Sequence, residues 1–463
     1  MKHYNRLNEL LLEFTAMSQS NNVPNLEKTD YLDLANYCIS IEELELGLLI
    51  VDTAIRHFPL LPEFIVKKIE ILLLLDRPNQ ALSTLKTIDH LTKLSHQAQL
   101  LKAKALKATG KNQDALDLLD QLKETQKDDF KIYELQANIL ENMQQFDKLY
   151  HVLKNQILTA PQAQLESLLD KLLLFTDITS NYQDAIAFYP KVIDRHPFSG
   201  TAWRNLGLSY AALEDYYEAI DAFEFCIAID PLDKTAYLGC TTCLEQQNKY
   251  GLAIRYYFEY LEQSLKDEPE ILMKLGHCFF LEDDFDTATY FLEEAIRLEP
   301  ELANAHYWLG SLYLESDPPK AILHLNDAID LDSFNEDYMI ALAEAYKTIH
   351  DPKNAQHYFQ QAIDIAPDIL DTWMPFVRFL IQTKQHQLLL ETLEEVATFF
   401  NPEQVIFLKI AGLFATGKRK EAKYWLIEAL TTDNDLLDTM FEVYPKLAHD
   451  DEVVATIQKY NTL

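Results

Sequence analysis

Apolar residues recur three and four apart along nearly the whole chain, in runs of about three to four turns broken by short polar segments. The first run, Tyr4–Met17, places Leu7, Leu10, Leu11 and Phe14 on one face of an amphipathic helix, and a polar linker, Ser18–Asn25, follows it. Pro59, Pro161, Pro197, Pro231, Pro300 and Pro367 stand just beyond such runs, where a residue without an N–H ends a helix and turns the chain. The pattern predicts a long succession of short helices joined by tight turns.

The succession repeats with a period of about 34 residues. Trp203, Leu206, Gly207 and Tyr210, followed by Ala219, Phe223 and Pro231, reproduce the pattern W-x2-L-G-x2-Y, then A-x3-F, then P. Clear copies open near Pro269 (Leu275, Gly276, Ala288, Ala295, Pro300), near Ala303 (Leu309, Gly310, Tyr313, Ala321, Ala328) and near Glu336 (Leu342, Ala343, Tyr346, Ala355, Phe359, Ala362, Pro367). Weaker copies open near Lys28, Pro62, His96, Phe130 and Glu166, and degenerate ones near Asp371 and Glu403. In all, 12 units run from Lys28 to Thr432, and nine keep alanine at one place in the second helix: Ala81, Ala115, Ala185, Ala219, Ala253, Ala288, Ala321, Ala355 and Ala422. Gly47, Leu149 and Leu389 stand there in the other three. A small side chain at a fixed place is expected where two helices and the next unit meet. The register slips near Pro161–Leu165, Lys266–Glu268 and Ser316–Pro319, all expected to be loops.

These residues resemble the tetratricopeptide repeat (TPR) family. The resemblance implies an all-α fold, a right-handed α-α superhelix of antiparallel helix pairs. It divides the chain into an N-terminal capping helix and linker (1–27), TPR units 1–6 (28–231), TPR units 7–12 (232–434) and C-terminal capping helices (435–463). Asp450, Asp451 and Glu452 open the last helix, where negative charge suits the helix dipole.

Composition narrows the function. Ten glycines in 463 residues fall far below the usual ~7% and leave little room for phosphate-cradling loops. With 40 Lys+Arg against 73 Asp+Glu, the net charge of −33 disfavours nucleic acid and anionic membranes. The longest aliphatic run, Ile71–Leu75, is far shorter than the ~20 residues of a spanning helix. Glu9 and Glu13 interrupt any signal-peptide core, and five cysteines without an export signal fit a reducing cytoplasm.

No segment demands catalysis, and no enzyme activity or cofactor is expected. Gly412, Gly417 and Lys418 imitate a phosphate-binding loop, but Arg419 replaces its Ser or Thr and no strand precedes it. Cys240 and Cys243 form a C-x2-C without a second pair at zinc spacing, so they read as packing residues. A thiol- or metal-dependent regulator using Cys226, Cys240, Cys243 and Cys278 is the alternative. The 13 histidines form no local motif, and the acidic Asp283, Asp284 and Asp286 read as a solvated turn.

The resemblance further implies that the first helix of each pair lines a concave binding surface. In the C-terminal half this maps to Met273, His277, Phe280, Tyr307, Leu314, Ile340, Met374, Arg378, Ile381 and Phe407, an apolar and aromatic lining suited to a peptide or protein partner with bulky anchors. The alternative use of the same stripe is packing between neighbouring first helices. The family's clamp for acidic chaperone tails is not matched: Leu32 precedes Asn36, and Glu134 precedes Asn138, where that clamp calls for lysine. Residues 1–231 carry 22 basic and 33 acidic groups (−11), and residues 232–463 carry 18 and 40 (−22). Neutral or basic partners therefore suit the C-terminal half. The expected function is a non-enzymatic protein-interaction scaffold, with self-association as a further alternative.

Overall fold

Every regular element in the described residues is helical. The computed structural model describes residues 2–19, 26–59, 61–89, 95–432 and 436–460, and these hold 27 α-helices, one 3-10 helix and no strand. None of these helices is long and apolar enough to cross a membrane. The chain divides into two units, Met1–Gly239 and Cys240–Leu463.

In the first unit, helices begin at Lys28, Pro62, His96 and Phe130, and each pairs with the helix that follows it. The first helices Pro62–Leu74, His96–Ala108 and Phe130–Asn142 also touch one another in series. The second unit repeats this with Pro269–Leu281, Ala303–Ser316, Glu336–Thr348, Leu370–Gln382 and Pro402–Ala415. Each unit is thus an α-α solenoid of antiparallel pairs. The extra residues expected to lengthen a loop near Pro161–Leu165 instead lengthen a helix: Gln162–Thr179 has 18 residues, where most of its counterparts have 12 to 14. A run so rich in leucine continues its apolar face rather than breaking.

Two devices recur at the repeat period. All nine of the repeated alanines are completely buried. The second is a left-handed residue that reverses the chain between the two helices of a pair, at 42, 76, 110, 144, 180, 214, 248, 283, 350, 384 and 417. Glycine supplies it without strain at Gly110 (φ 77) and Gly417 (φ 80). At the other nine positions a residue with a Cβ is held there, for example Glu214 (φ 63) and Lys384 (φ 56). The shortened turn at Ser316–Pro319 lacks that residue: Asp317 has φ −149, closes one helix and caps the next by accepting from the Lys320 N–H.

Each unit carries a covering element, the first at its N-terminal side and the second at its C-terminal side. Leu7, Leu11 and Phe14 of the Lys2–Gln19 helix are buried with Tyr31, Leu34 and Ile50. Residues 20–25 of the expected linker lie outside the described residues. At the other end, Leu437–Val443, the 3-10 helix Pro445–His449 and Asp451–Tyr460 bury Met440, Val443, Leu447 and Val453 in a core shared with Leu408 and Leu426.

Candidate functional site: the first-helix face of the second unit

The residues predicted to line a groove separate into two groups. Met273, Met374, Ile381 and Phe407 are buried, at 7, 9, 8 and 2% exposure. Met374, Ile381 and Phe407 belong to the core that also holds Trp373, Phe376 and Leu408. Their side chains are taken up by the core and present almost nothing to a ligand. His277, Phe280, Tyr307, Leu314, Ile340 and Arg378 are half-buried and remain reachable from the face.

The aromatic members of the second group form a continuous strip. Trp308 stacks on the His277 ring at 4.1 Å and 29°, lies 5.7 Å from Phe280 and 4.7 Å from Tyr307. Tyr307 continues the strip to Tyr338 at 5.1 Å, and the Tyr338 hydroxyl donates to Asn304 Oδ1 at 2.6 Å. Two successive first helices, Pro269–Leu281 and Ala303–Ser316, therefore contribute to one aromatic surface, which the buried Tyr338 of Glu336–Thr348 backs. Trp308 is its centre, yet the family positions pick its neighbour Tyr307. The adjacent pair Tyr307 and Trp308, immediately before Leu309 and Gly310, is the signal in the sequence that points to it.

Charge at the strip is fixed from beneath. The Glu245 carboxylate accepts from the Tyr257 hydroxyl at 2.7 Å and lies 3.8 Å from His277 Nδ1. Burial lowers the His277 pKa below its ordinary 6.5, with Glu245 opposing, so the ring that stacks on Trp308 is neutral at pH 7. Arg378 forms no ion pair with a described residue, and its buried Nε has no hydrogen-bond partner. It sets one positive group into an acidic unit.

The remaining candidate chemistry resolves into packing. All five cysteines are reduced and buried. Burial pushes the Cys243 thiol up to about 11. Cys278 is raised by burial and by Glu245. In the first unit, burial and the Asp233 carboxylate push Cys226 up to about 12. Within the second unit, Cys240, Cys243 and Cys278 do not converge on a common point with other ligand atoms. Gly412 lies inside the Pro402–Ala415 helix and Gly417 in the turn after it, so this segment is a helix end.

Comparison with known proteins agrees with the repeat. Residues 201–232 and 336–369 match family models described as tetratricopeptide repeat. The chain is 22% identical over 262 residues to the bovine (Bos taurus) BBSome complex member BBS4, covering 56% of this chain and 50% of that protein. It is 29% identical over 140 residues to cell division cycle protein 27 homolog B of Arabidopsis thaliana, covering 28% of this chain and 18% of that one. It thus spans half or less of the length of these relatives. The solved APC/C hetero-tetramer Cut9-Hcn1 is similar at a TM-score of 0.41 and 14% identity, covering 88% of this chain and 97% of that one. With two units matched to the family, the buried alanine kept in nine of the twelve units and the left-handed turn in eleven, the chain is a tetratricopeptide-repeat protein.

Proposed function

We propose that this chain is a non-enzymatic, cytoplasmic scaffold that holds a protein partner against the first-helix face of its second unit. The observation that carries the reading is the aromatic strip His277, Phe280, Trp308 and Tyr307, half-buried and spread over successive helices. Rigid aromatic groups with one face open are the side chains that most often dominate a protein interface. The surrounding acidity selects partners that are neutral or basic and bring apolar anchors, as an amphipathic helix or an extended segment does. Membership of the BBSome complex, stated in the name of the bovine relative, supports a role inside an assembly. The odd number of cysteines, five, suits a reducing compartment better than a disulfide framework.

The test is recovery of partners from the native host with the wild-type chain and with Leu314→Glu plus Ile340→Glu. Both residues are half-buried and reachable from the face, whereas a charge at buried Met374 would report on folding as well as on binding. Partners lost from the variant, with its helical content and melting unchanged, support the reading. Equal recovery by both proteins contradicts it.

A further inference from the structure

We propose that His306, His324 and Asp327 form a binding site for a divalent transition metal, zinc by its donor set, within a single helix pair of the second unit. His306 belongs to the Ala303–Ser316 helix. His324 and Asp327 belong to the facing Pro318–Leu331 helix, three residues apart and therefore on one side of it. The three ligand atoms lie within 4.8 Å of one another, and this is the only such group of His, Cys, Asp and Glu among the described residues.

The proton placement favours a metal. His306 Nε2 lies 3.1 Å from the Pro300 carbonyl oxygen. A carbonyl only accepts, so Nε2 carries a hydrogen and Nδ1 is the ring atom left to ligate. That arrangement, a ligating histidine anchored through its other nitrogen, is the usual support of a metal ligand. His306 Nδ1 faces His324 Nδ1 at 3.4 Å and Asp327 Oδ2 at 3.6 Å. Both separations are long for hydrogen bonds, which cluster near 2.9–3.0 Å. Bonds of about 2.0–2.1 Å place neighbouring zinc ligands roughly 3.3–3.4 Å apart, so the first separation fits the edge of a zinc tetrahedron and the second exceeds it slightly.

The surroundings agree. His306 is buried and held, whereas His324 and Asp327 are half-buried, which leaves one side for the ion to enter and for water as a fourth ligand. Glu293 adds negative charge nearby, and Lys320 opposes it. Two imidazoles and one carboxylate suit zinc better than magnesium or calcium.

The experiment uses the full chain, stripped with a chelator and titrated with zinc ions against a chromophoric competitor. The wild type is expected to bind one equivalent, and His324→Ala and Asp327→Asn each to weaken binding at least ~10-fold. Zinc is also expected to slow amide exchange across residues 303–331 in the wild type and not in His324→Ala. Both variants change partly exposed side chains, and their metal-free unfolding curves serve as the folding control. Three results would overturn the proposal: no saturable binding, equal affinity in wild type and both variants, or binding lost only when Cys240, Cys243 and Cys278 are replaced by alanine.

Discussion

Two glycine-to-alanine substitutions in the second unit are expected to change stability in opposite directions. Gly276 lies in the middle of the Pro269–Leu281 helix, where alanine is intrinsically better by about 0.8–1 kcal/mol. A Cβ at Gly276 would lie 2.6 Å from Leu292 Cγ, 2.9 Å from Leu292 Cδ2 and 3.2 Å from the Ala288 carbonyl oxygen. Carbon atoms pack at about 3.5–4.0 Å, so completely buried Leu292 must retreat by about 1 Å while the Ala288 backbone hems it in. Overpacking of this kind costs typically 1–3 kcal/mol. The net expectation for Gly276→Ala is a loss of about 1 kcal/mol. Gly251 is exposed near the start of the Tyr250–Ser264 helix, and its Cβ would meet only Glu282 Oε1 at 3.9 Å. Gly251→Ala therefore keeps the propensity gain, about 0.5–1 kcal/mol. A long repeat array does not unfold in two states, so the assay is native-state hydrogen exchange of the peptides covering each helix pair. Adding Leu292→Ala to Gly276→Ala supplies a double-mutant cycle, and the pair is expected to be at least ~1 kcal/mol better than additive. Stabilisation by Gly276→Ala, or strict additivity in the cycle, would refute the argument that contact at this crossing sets the size of the residue.

Glu214→Gly, at a left-handed turn (φ 63), is expected to stabilise the surrounding pair by about 0.5–1 kcal/mol, read as slower exchange in residues 200–229. Arg204 donates to Asp233 at 2.8 Å and Asp170 at 2.6 Å, and the Asp233 side chain is only 8% exposed. Arg204→Met leaves that carboxylate buried and short of its cation, and is expected to cost about 3 kcal/mol, read as faster native-state hydrogen exchange in residues 200–229. Asp184 accepts from the Tyr150 hydroxyl at 2.8 Å and from Lys154. Although burial pushes its pKa up, these hydrogen bonds and the Lys154 charge outweigh it and hold the group below 3.8. Its contribution is therefore complete at neutral pH and lost as pH falls through the lowered folded-state value. Asp184→Asn should flatten the acid limb of a stability–pH profile and leave no slope change above pH ~5.

Much of this architecture is legible in the sequence because each unit solves one packing problem with the same few residues. Helices begin at Lys28, Pro62, His96, Phe130, Pro269, Ala303 and Glu336, where the repeat places them. Local sequence dictates these starts through proline, the buried alanine and the turn. The Gln162–Thr179 helix is less legible, since extra residues fit a longer helix or a longer loop equally well until the leucines find a core. The face of the second unit is legible only in part. Periodicity marks Met273, Met374 and Phe407 as apolar first-helix positions, but packing between neighbouring helices and lining a groove leave the same pattern. Trp308 is hidden by its position next to the residue that the family pattern selects. His306, His324 and Asp327 meet only because two helices of a pair fold back on each other, a juxtaposition without a linear motif.

Site-directed photocrosslinking in the native host tests the central claim most directly. A photoreactive phenylalanine analogue would be placed, one site at a time, at Leu314 or Ile340 on first helices and at Tyr290 or Leu323 on second helices, the latter two being 60 and 59% exposed. The first-helix positions are expected to give a discrete partner adduct and the second-helix positions none. Adducts confined to Tyr290 and Leu323 would contradict the assignment of the first-helix face as the partner-binding surface.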